Sequence, residues 1–218
     1  MASIAIIDYG MGNLRSVAKA LEQVAPAVRI LVTRQPEDIL QADRVVFPGQ
    51  GAIRDCMQAL RQGQLLDVVR QAAANKPFLG LCLGPQALME FSEENGGTPC
   101  LGVLPGRVVR FDAALRDPAT GERIKIPHMG WNQVHQTLAH PLWTGIPQDS
   151  RFYFVHSYYL QPDSAAIKAG ETHYFITFAS TIVRDNIFAV QFHPEKSAQA
   201  GLRLLANFVG WNPTQSLT

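Results

Sequence analysis

The sequence predicts an α/β fold with a mostly parallel central sheet, helices on both of its faces and a strand-rich second half. Three observations carry that expectation. Up to Phe91, short apolar runs alternate with stretches whose apolar residues recur at helical spacing. The connections between them are short, as right-handed βαβ units require. Beyond Arg107 the apolar runs continue, but helical periodicity is nearly absent until Ser197.

The elements follow in order. Ser3 to Asp8 is a short apolar run that reads as a buried strand. Asn13 is placed to cap a helix whose apolar face is Leu14, Val17, Ala18, Leu21 and Val24. Val28 to Thr33 and Arg44 to Phe47 read as strands, the latter ending at Pro48-Gly49-Gln50-Gly51. Gln64 to Asn75 reads as helix, Pro77 to Leu81 as strand and Pro85 to Phe91 as helix. In the second half, Arg107 to Phe111, Ile124 to His128, Phe152 to Tyr158, Tyr174 to Ala179 and Ile187 to His193 read as strands. Asp112 to Arg123 is polar, carries Asp117-Pro118 and Gly121, and reads as an exposed turn. Ser197 is expected to cap a last helix with Leu202, Leu205, Ala206 and Val209 on one face. The whole chain, residues 1–218, is expected to form one domain.

Composition excludes several classes of function. Nineteen Lys and Arg against eighteen Asp and Glu leave a net charge of +1, which offers no footprint for nucleic acid or an anionic membrane. Hydrophobic residues at 47% and charged ones at 17% argue against disorder. The longest stretch without Asp, Glu, Lys or Arg, Ile126 to Gln148, holds three histidines and three prolines and cannot span a bilayer. The opening residues lack a basic flank and reach Asp8 early, so no signal peptide is read there. Cys56, Cys82 and Cys100 form neither an even disulfide set nor a CxxC pair, which suits a reducing cytoplasm.

The sharpest chemical feature is Gly80-Leu81-Cys82-Leu83-Gly84-Pro85. A nucleophile between two glycines, at a strand-to-helix junction, fits a strained elbow that presents the side chain to a cleft. Pro85 suits a first helical position, where a missing N–H costs nothing. A helix amino terminus favours thiolate over thiol at Cys82. A small buried residue in a Gly-rich turn would leave the same pattern, so the elbow needs a base beside it. His193-Pro194-Glu195 follows an apolar strand, and in extended backbone residues two apart share a face. Glu195 is then expected to orient His193 and favour its charged form. Pro48-Gly49-Gln50-Gly51 is expected to turn backbone N–H groups toward a developing oxyanion.

Other motifs fail. Gly10-Met11-Gly12 after a strand has Arg15 where a dinucleotide fingerprint needs its third glycine. No phosphate-binding G-x-x-x-x-G-K-[ST] loop exists, and His128, His135 and His140 lack a zinc spacing. Cys56 and Cys100 have no base nearby in sequence and read as structural. No metal or cofactor is expected.

Cys82 in its elbow, followed by His193-Pro194-Glu195, resembles the class I glutamine amidotransferase family over nearly the whole chain. Ile7-Asp8-Tyr9-Gly10-Met11-Gly12-Asn13-Leu14, Pro48-Gly49-Gln50-Gly51-Ala52 and Phe154-Val155-His156-Ser157-Tyr158 are similar to it as well, as is Gln191-Phe192-His193-Pro194-Glu195-Lys196-Ser197. The opening segment and Ile126-Pro127-His128-Met129-Gly130-Trp131-Asn132 resemble the members that serve histidine biosynthesis. The resemblance implies a flavodoxin-like three-layer fold and hydrolysis of glutamine to glutamate and ammonia. It implies Cys82 as nucleophile, His193 as base and Glu195 as its orienter. Backbone N–H groups of Gly49, Gln50, Gly51 and Leu83 become the oxyanion donors, and Gln86, Ser157 and Tyr158 hold glutamine. The implied partner is a (β/α)₈-barrel cyclase subunit, met by Pro127, His128, Met129, Gly130, Trp131, Asn132, Tyr153 and Lys196. The family couples hydrolysis to its partner, so the isolated chain is expected to be weak, with an oxyanion loop that turns into place on binding. Pro85 departs from the family, which often has a non-proline residue there, and the Asp112–Arg123 turn is longer than usual. Two other readings stay open at this point: a glutaminase serving another synthase, and a catalytically silent binding protein on the same fold.

Overall fold

The computed structural model describes residues 2–117 and 119–213. The first half runs β1 (Ser3–Ile7), α1 (Leu14–Val24), β2 (Arg29–Thr33), α2 (Pro36–Gln41), β3 (Arg44–Phe47), α3 (Ile53–Gln62), α4 (Leu66–Asn75), β4 (Phe78–Leu81) and α5 (Leu83–Leu88). The second runs β5 (Phe91–Ser92), β6 (Thr98–Pro99), β7 (Gly106–Arg110), β8 (His128–Gln133), β9 (His135–Gln136), β10 (Arg151–His156), β11 (Tyr158–Pro162), β12 (Lys168–Tyr174), β13 (Ile176–Arg184), β14 (Ile187–Val190) and α6 (Ala198–Gly210).

The main sheet has the order β2-β1-β3-β4-β14-β13-β11-β7-β5-β6. Its first five strands are all parallel, and antiparallel pairing begins where β13 joins β14. Alternation along β1 shows why the sheet must be covered twice. Ile4 and Ile6 pack in one apolar layer with Val17 and Leu21 of α1 and Leu204, Leu205 and Phe208 of α6. Ala5 and Ile7 pack in the other with Ile39, Leu60, Val69 and Ala72 from α2, α3 and α4. The expected α/β class and its mostly parallel sheet stand, as three layers. Strands β8 and β10 form a separate antiparallel pair beside the main sheet. No helix among the described residues is long and apolar enough to cross a membrane.

Several boundaries differ from the sequence reading. Helix α5 begins at Leu83, because Cys82 already makes the turn, and ends at Leu88. There the N–H groups of Leu101, Val103 and Leu104 take the carbonyls of Ala87 and Leu88, and Phe91 passes into a strand. Pro85 is therefore the third helical residue, still within the first turn, where no N–H is needed. Helix α4 starts at Leu66, since Gln64 adopts a left-handed φ of 56°. The strand expected over Ile124 to His128 instead begins at His128, after Pro127, which cannot donate to a ladder. Phe152 to Tyr158 is two strands, because at Ser157 the chain leaves β8, and the Ser157 carbonyl accepts from the N–H of Phe111. Tyr174 to Ala179 conceals a hairpin: Phe175 turns at φ 61° between β12 and β13. An aromatic in that region is uncommon and gave no turn signal. Asn13 and Ser197 occupy the cap positions of α1 and α6, yet neither side chain caps its helix. Pro118, part of the expected turn, lies outside the described residues; around it Asp117 accepts from the N–H groups of Ala119 and Thr120.

Candidate active site

Three adjacent parallel strands assemble the site. Phe47 of β3 pairs with Gly80 of β4, and Leu81 pairs with Val190 of β14, so the three carboxyl ends lie side by side. Each leads directly into one of the motifs singled out above, in the crevice where parallel α/β sheets bind ligands. The cleft there has a volume of about 740 Å³, and Cys82, Leu83, Gln50, Gly51 and His193 line it.

Cys82 sits at φ 56° and ψ −92°, a strained conformation for a residue with a Cβ, and its N–H donates to the Val190 carbonyl at 2.8 Å. The turn depends on Gly84, where an added Cβ would lie 2.2 Å from the Phe47 carbonyl oxygen. Cys82 is 7% exposed, and what remains accessible opens to the cleft. Cys56 and Cys100 are pushed up to about 12 by burial and stay thiols.

His193 and Glu195 meet as expected but by a different route. The segment Pro194–Lys196 is a single 3-10 turn, so Glu195 curls back to His193 rather than standing two places along a strand. Glu195 Oε1 lies 2.8 Å from His193 Nδ1, with the side chains 1% and 5% exposed. Three contacts hold the turn. The N–H of His193 donates to the Tyr153 carbonyl at 2.9 Å, Ser197 Oγ donates to the His193 carbonyl, and α6 crosses at Gly201. At Gly201 a Cβ would lie 1.9 Å from the Pro194 carbonyl oxygen. Burial opposes the imidazolium of His193, but the negative charge of Cys82, with Glu195 on the other nitrogen, outweighs it and raises His193 to about 10. Nε2 of His193 is buried with no nitrogen or oxygen partner and no well-aligned hydrogen bond, so the Cys82 sulfur is its counterpart electrostatically.

Gly49 is buried: a Cβ there would lie 2.5 Å from the Tyr9 hydroxyl, which itself donates to the Pro48 carbonyl at 3.0 Å. Of the expected oxyanion set, Gln50, Gly51 and Leu83 line the cleft, and Gly49 lies behind them. Gly51 has φ +92°, a conformation open to glycine and strained for other residues. Gln86, Ser157 and Tyr158 line the same cleft. Gln86 Nε2 donates to Gln191 Oε1 at 3.0 Å and to the Tyr158 carbonyl at 3.3 Å, which leaves its own Oε1 for a ligand. Gln191 Nε2 donates in turn to the Cys82 carbonyl at 3.1 Å.

Several lining residues had no site role in the sequence reading. Glu94 is the carboxylate of the cleft wall, and its Oε2 also accepts from the N–H of Ile53 at 2.7 Å. Nothing distinguishes it in sequence from Glu90 and Glu93. Gly10, Met11 and Gly12 line the cleft too, though as a motif they had failed only the dinucleotide test. His156 and Val155 complete the wall.

The expected partner face divides by strand parity. On the β8–β10 pair, Met129 is 61% and Trp131 46% exposed, opposite Val155 and Tyr153, and Trp131 meets Tyr153 edge-on at 6.2 Å. Pro127 and Lys196 are exposed and also line the cleft, so this apolar face continues into its mouth. His128 is a correction: at 3% exposure it points inward, and Gly130 and Asn132, on its side of the strand, are half-buried.

Residues 5–210 match the family described as Glutamine amidotransferase class-I. Among curated relatives, the imidazole glycerol phosphate synthase subunit HisH of Nitrosococcus oceani is 66% identical over 212 residues, 97% of this chain and 99% of its own. The protein of that name from Aromatoleum aromaticum is 60% identical over 213 residues, 98% and 100%. That from Methylococcus capsulatus is 59% identical over 217 residues, 99% and 100%. Among solved structures, PurLQS from Thermotoga maritima superposes with a TM-score of 0.70 at 13% identity, over 96% of this chain and 98% of that one. A glutamine amidotransferase does so at 0.68 and 17%, over 95% and 99%. These two likenesses concern the fold. With a match that runs from β1 through α6, and with relatives this similar over nearly their full length, the chain belongs to the class-I glutamine amidotransferase family.

Proposed function

We propose that this chain is the glutaminase subunit of imidazole glycerol phosphate synthase, acting as one domain through a Cys82–His193–Glu195 triad. The observation that carries the proposal is Cys82 on a strained elbow, electrostatically paired with a buried His193 whose other nitrogen is held by Glu195 at 2.8 Å. Glutamine enters the cleft, where Gln86 and the Tyr158 backbone hold its amino-acid end and Glu94 supplies the charge that meets the ammonium. Cys82 Sγ, as thiolate, attacks the side-chain carboxamide carbon and forms a tetrahedral oxyanion. The N–H groups of Leu83 and of the Gly49–Gly51 loop stabilise that charge, Leu83 from a helical first turn where N–H groups lack internal partners.

Collapse breaks the C–N bond and leaves a γ-glutamyl thioester. The His193 imidazolium gives its proton to the departing ammonia. The resulting neutral imidazole takes a proton from water as the water attacks the thioester carbon. The C–S bond then breaks, and glutamate leaves with the Cys82 thiolate and His193 imidazolium restored and its own carboxyl proton given to solvent. Glu195 keeps the imidazole aligned through both transfers. Ammonia passes to a (β/α)₈-barrel cyclase seated on Pro127, Met129, Trp131, Tyr153 and Lys196, where the exposed methionine and tryptophan suit an interface. There it enters the formation of imidazole glycerol phosphate and an aminoimidazole carboxamide ribotide. The cyclase also turns the Gly49-Gln50-Gly51 loop toward the oxyanion, which raises a weak basal rate. A reducing cytoplasm keeps Cys82 a thiol.

Glutamate release is measured for the chain alone, with the barrel cyclase, and with the cyclase plus its ribonucleotide ligand, beside Cys82→Ala. Strong stimulation in the last mixture, abolished by C82A, is the expected result. Equal rates in all three mixtures would reject the assigned synthase, and no hydrolysis in any would reject the glutaminase.

A further inference from the structure

Two buried histidines lie between the exposed β8–β10 face and the cleft, and none of the steps above uses them. His128 is sandwiched between Phe154 and Tyr174, with ring centroids 4.9 and 4.0 Å away and planes within 25° and 21°. His156 packs against Phe111 and Phe178, at 5.4 and 5.2 Å. Polar rings in such surroundings are tolerated when their nitrogens are bonded. Here all four are bonded, in one direction.

The direction follows from the donors. Asn132 Oδ1 accepts from the N–H of Gln133 at 2.8 Å, which fixes its amide. Its Nδ2 then donates to the His173 carbonyl at 2.9 Å and to His128 Nε2 at 3.2 Å. Because Nε2 accepts, His128 carries its proton on Nδ1 and gives it to His156 Nε2 at 2.9 Å. His156 in turn carries its proton on Nδ1 and donates to the Tyr158 carbonyl at 2.8 Å. That carbonyl also receives Gln86 Nε2, whose second proton goes to Gln191, and Gln191 reaches the Cys82 carbonyl. The hydrogen bonds therefore run without a gap from the half-buried amide of Asn132 to the backbone of the nucleophile. No ring can rotate or gain a proton without setting two donors against each other or leaving a buried group unpaired.

We propose that His128 and His156 are positioning residues, a relay of neutral imidazoles that ties strand β8 to the Tyr158 carbonyl and to the Gln86–Gln191–Cys82 wall of the cleft. Movement of β8 when a partner settles on Met129 and Trp131 shifts Asn132, and the relay transmits that shift to the groups that hold glutamine. The inference rests on the glutaminase reading above and gives its coupling a physical route.

The test compares His156→Phe, His156→Asn and Asn132→Ala in the complex with the barrel cyclase, at saturating cyclase. H156F keeps a flat ring but removes both bonds. H156N retains an N–H where imidazole Nδ1 donates to Tyr158. H156F is expected to raise KM for glutamine about tenfold with kcat changed less than about threefold, H156N to recover most of that loss, and N132A to lower stimulation several-fold. Unchanged KM in H156F, or H156N as impaired as H156F, would overturn the relay. If H156F does not fold, N132A decides: stimulation equal to wild type refutes the proposal, and a several-fold drop supports it. Absence of hydrolysis in the wild-type complex would instead refute the glutaminase reading, and the inference with it.

Discussion

Gly201 lies in helix α6, yet it sets the position of His193. Its replacement by alanine brings two effects of opposite sign. In a helix interior, Gly→Ala stabilises by about 1 kcal/mol through lost backbone freedom in the unfolded chain. Against this, the new Cβ would stand 1.9 Å from the Pro194 carbonyl oxygen and 2.9 Å from Ser197 Cβ. Ordinary contact begins at 3.4 Å, so helix α6 and the Pro194 peptide must separate by about 1.5 Å. Overpacking of backbone on backbone costs about 1–3 kcal/mol, occasionally more, and the clash therefore wins. We expect Gly201→Ala to lower Tm by several degrees, since about 1 kcal/mol corresponds to roughly 2–4 °C in a chain of this length. Because Pro194 joins His193 to Glu195, the same displacement moves the imidazole, and a misplacement near 1 Å costs about a hundredfold in turnover. Gly210, in the same helix with nothing within 4 Å of its added Cβ, is the control and is expected to tolerate alanine. Thermal melts and glutamate release in the complex measure both effects. A Gly201→Ala protein as stable and active as Gly210→Ala would refute the reasoning.

Three further outcomes are expected. Glu195→Gln keeps the shape but removes the charge beside His193, and should lower kcat by at least about a hundredfold with little change in KM, read from steady-state glutamate release. Below pH 6.5 the protein should lose stability: burial holds His128 and His140 down to about 4 and His156 to about 3, so the unfolded chain binds their protons first. Fully buried His156 alone gives a slope approaching about 1.4 kcal/mol per pH unit there. His193, raised to about 10, works in the other direction, its contribution complete below 6.5 and lost as pH climbs through 10. Urea titrations across pH 4–10 test both limbs, and flat stability between pH 7 and 4.5 would contradict the first. Trp131→Ala should weaken cyclase binding by about 2 kcal/mol while leaving Tm within about 2 °C, by calorimetric titration and melting, because the indole is nearly half exposed in the free chain.

Cys82 and the His193–Glu195 pair were legible as candidates because each sits in a local pattern with its own chemistry. Gly80 to Pro85 encodes a turn that Gly84 permits, and His193-Pro194-Glu195 puts imidazole and carboxylate two residues apart, though a 3-10 turn rather than extended backbone brings them together. The parallel half was legible for the same reason, since buried strands and amphipathic helices there have distinct periods. Boundaries failed where the competing interaction came from afar: the loop over Leu101 to Leu104 that ends α5, and the change of partner at Ser157 that splits one apolar run into two strands.

Residue identity and spacing therefore put forward the candidate chemistry of the chain: a thiol on a glycine elbow, an imidazole with its carboxylate, and two aromatics, Trp131 and Tyr153, of a kind suited to an interface. They did not settle inside from outside along β8, where His128 is buried while its neighbours Met129 and Trp131 are exposed. Nor did they reveal Glu94 as the acid of the cleft, the crossing at Gly201, or the path from Asn132 through two imidazoles to Cys82. Each of these depends on contacts between residues distant in the chain, and such contacts exist only once sheet order and register have placed the strands.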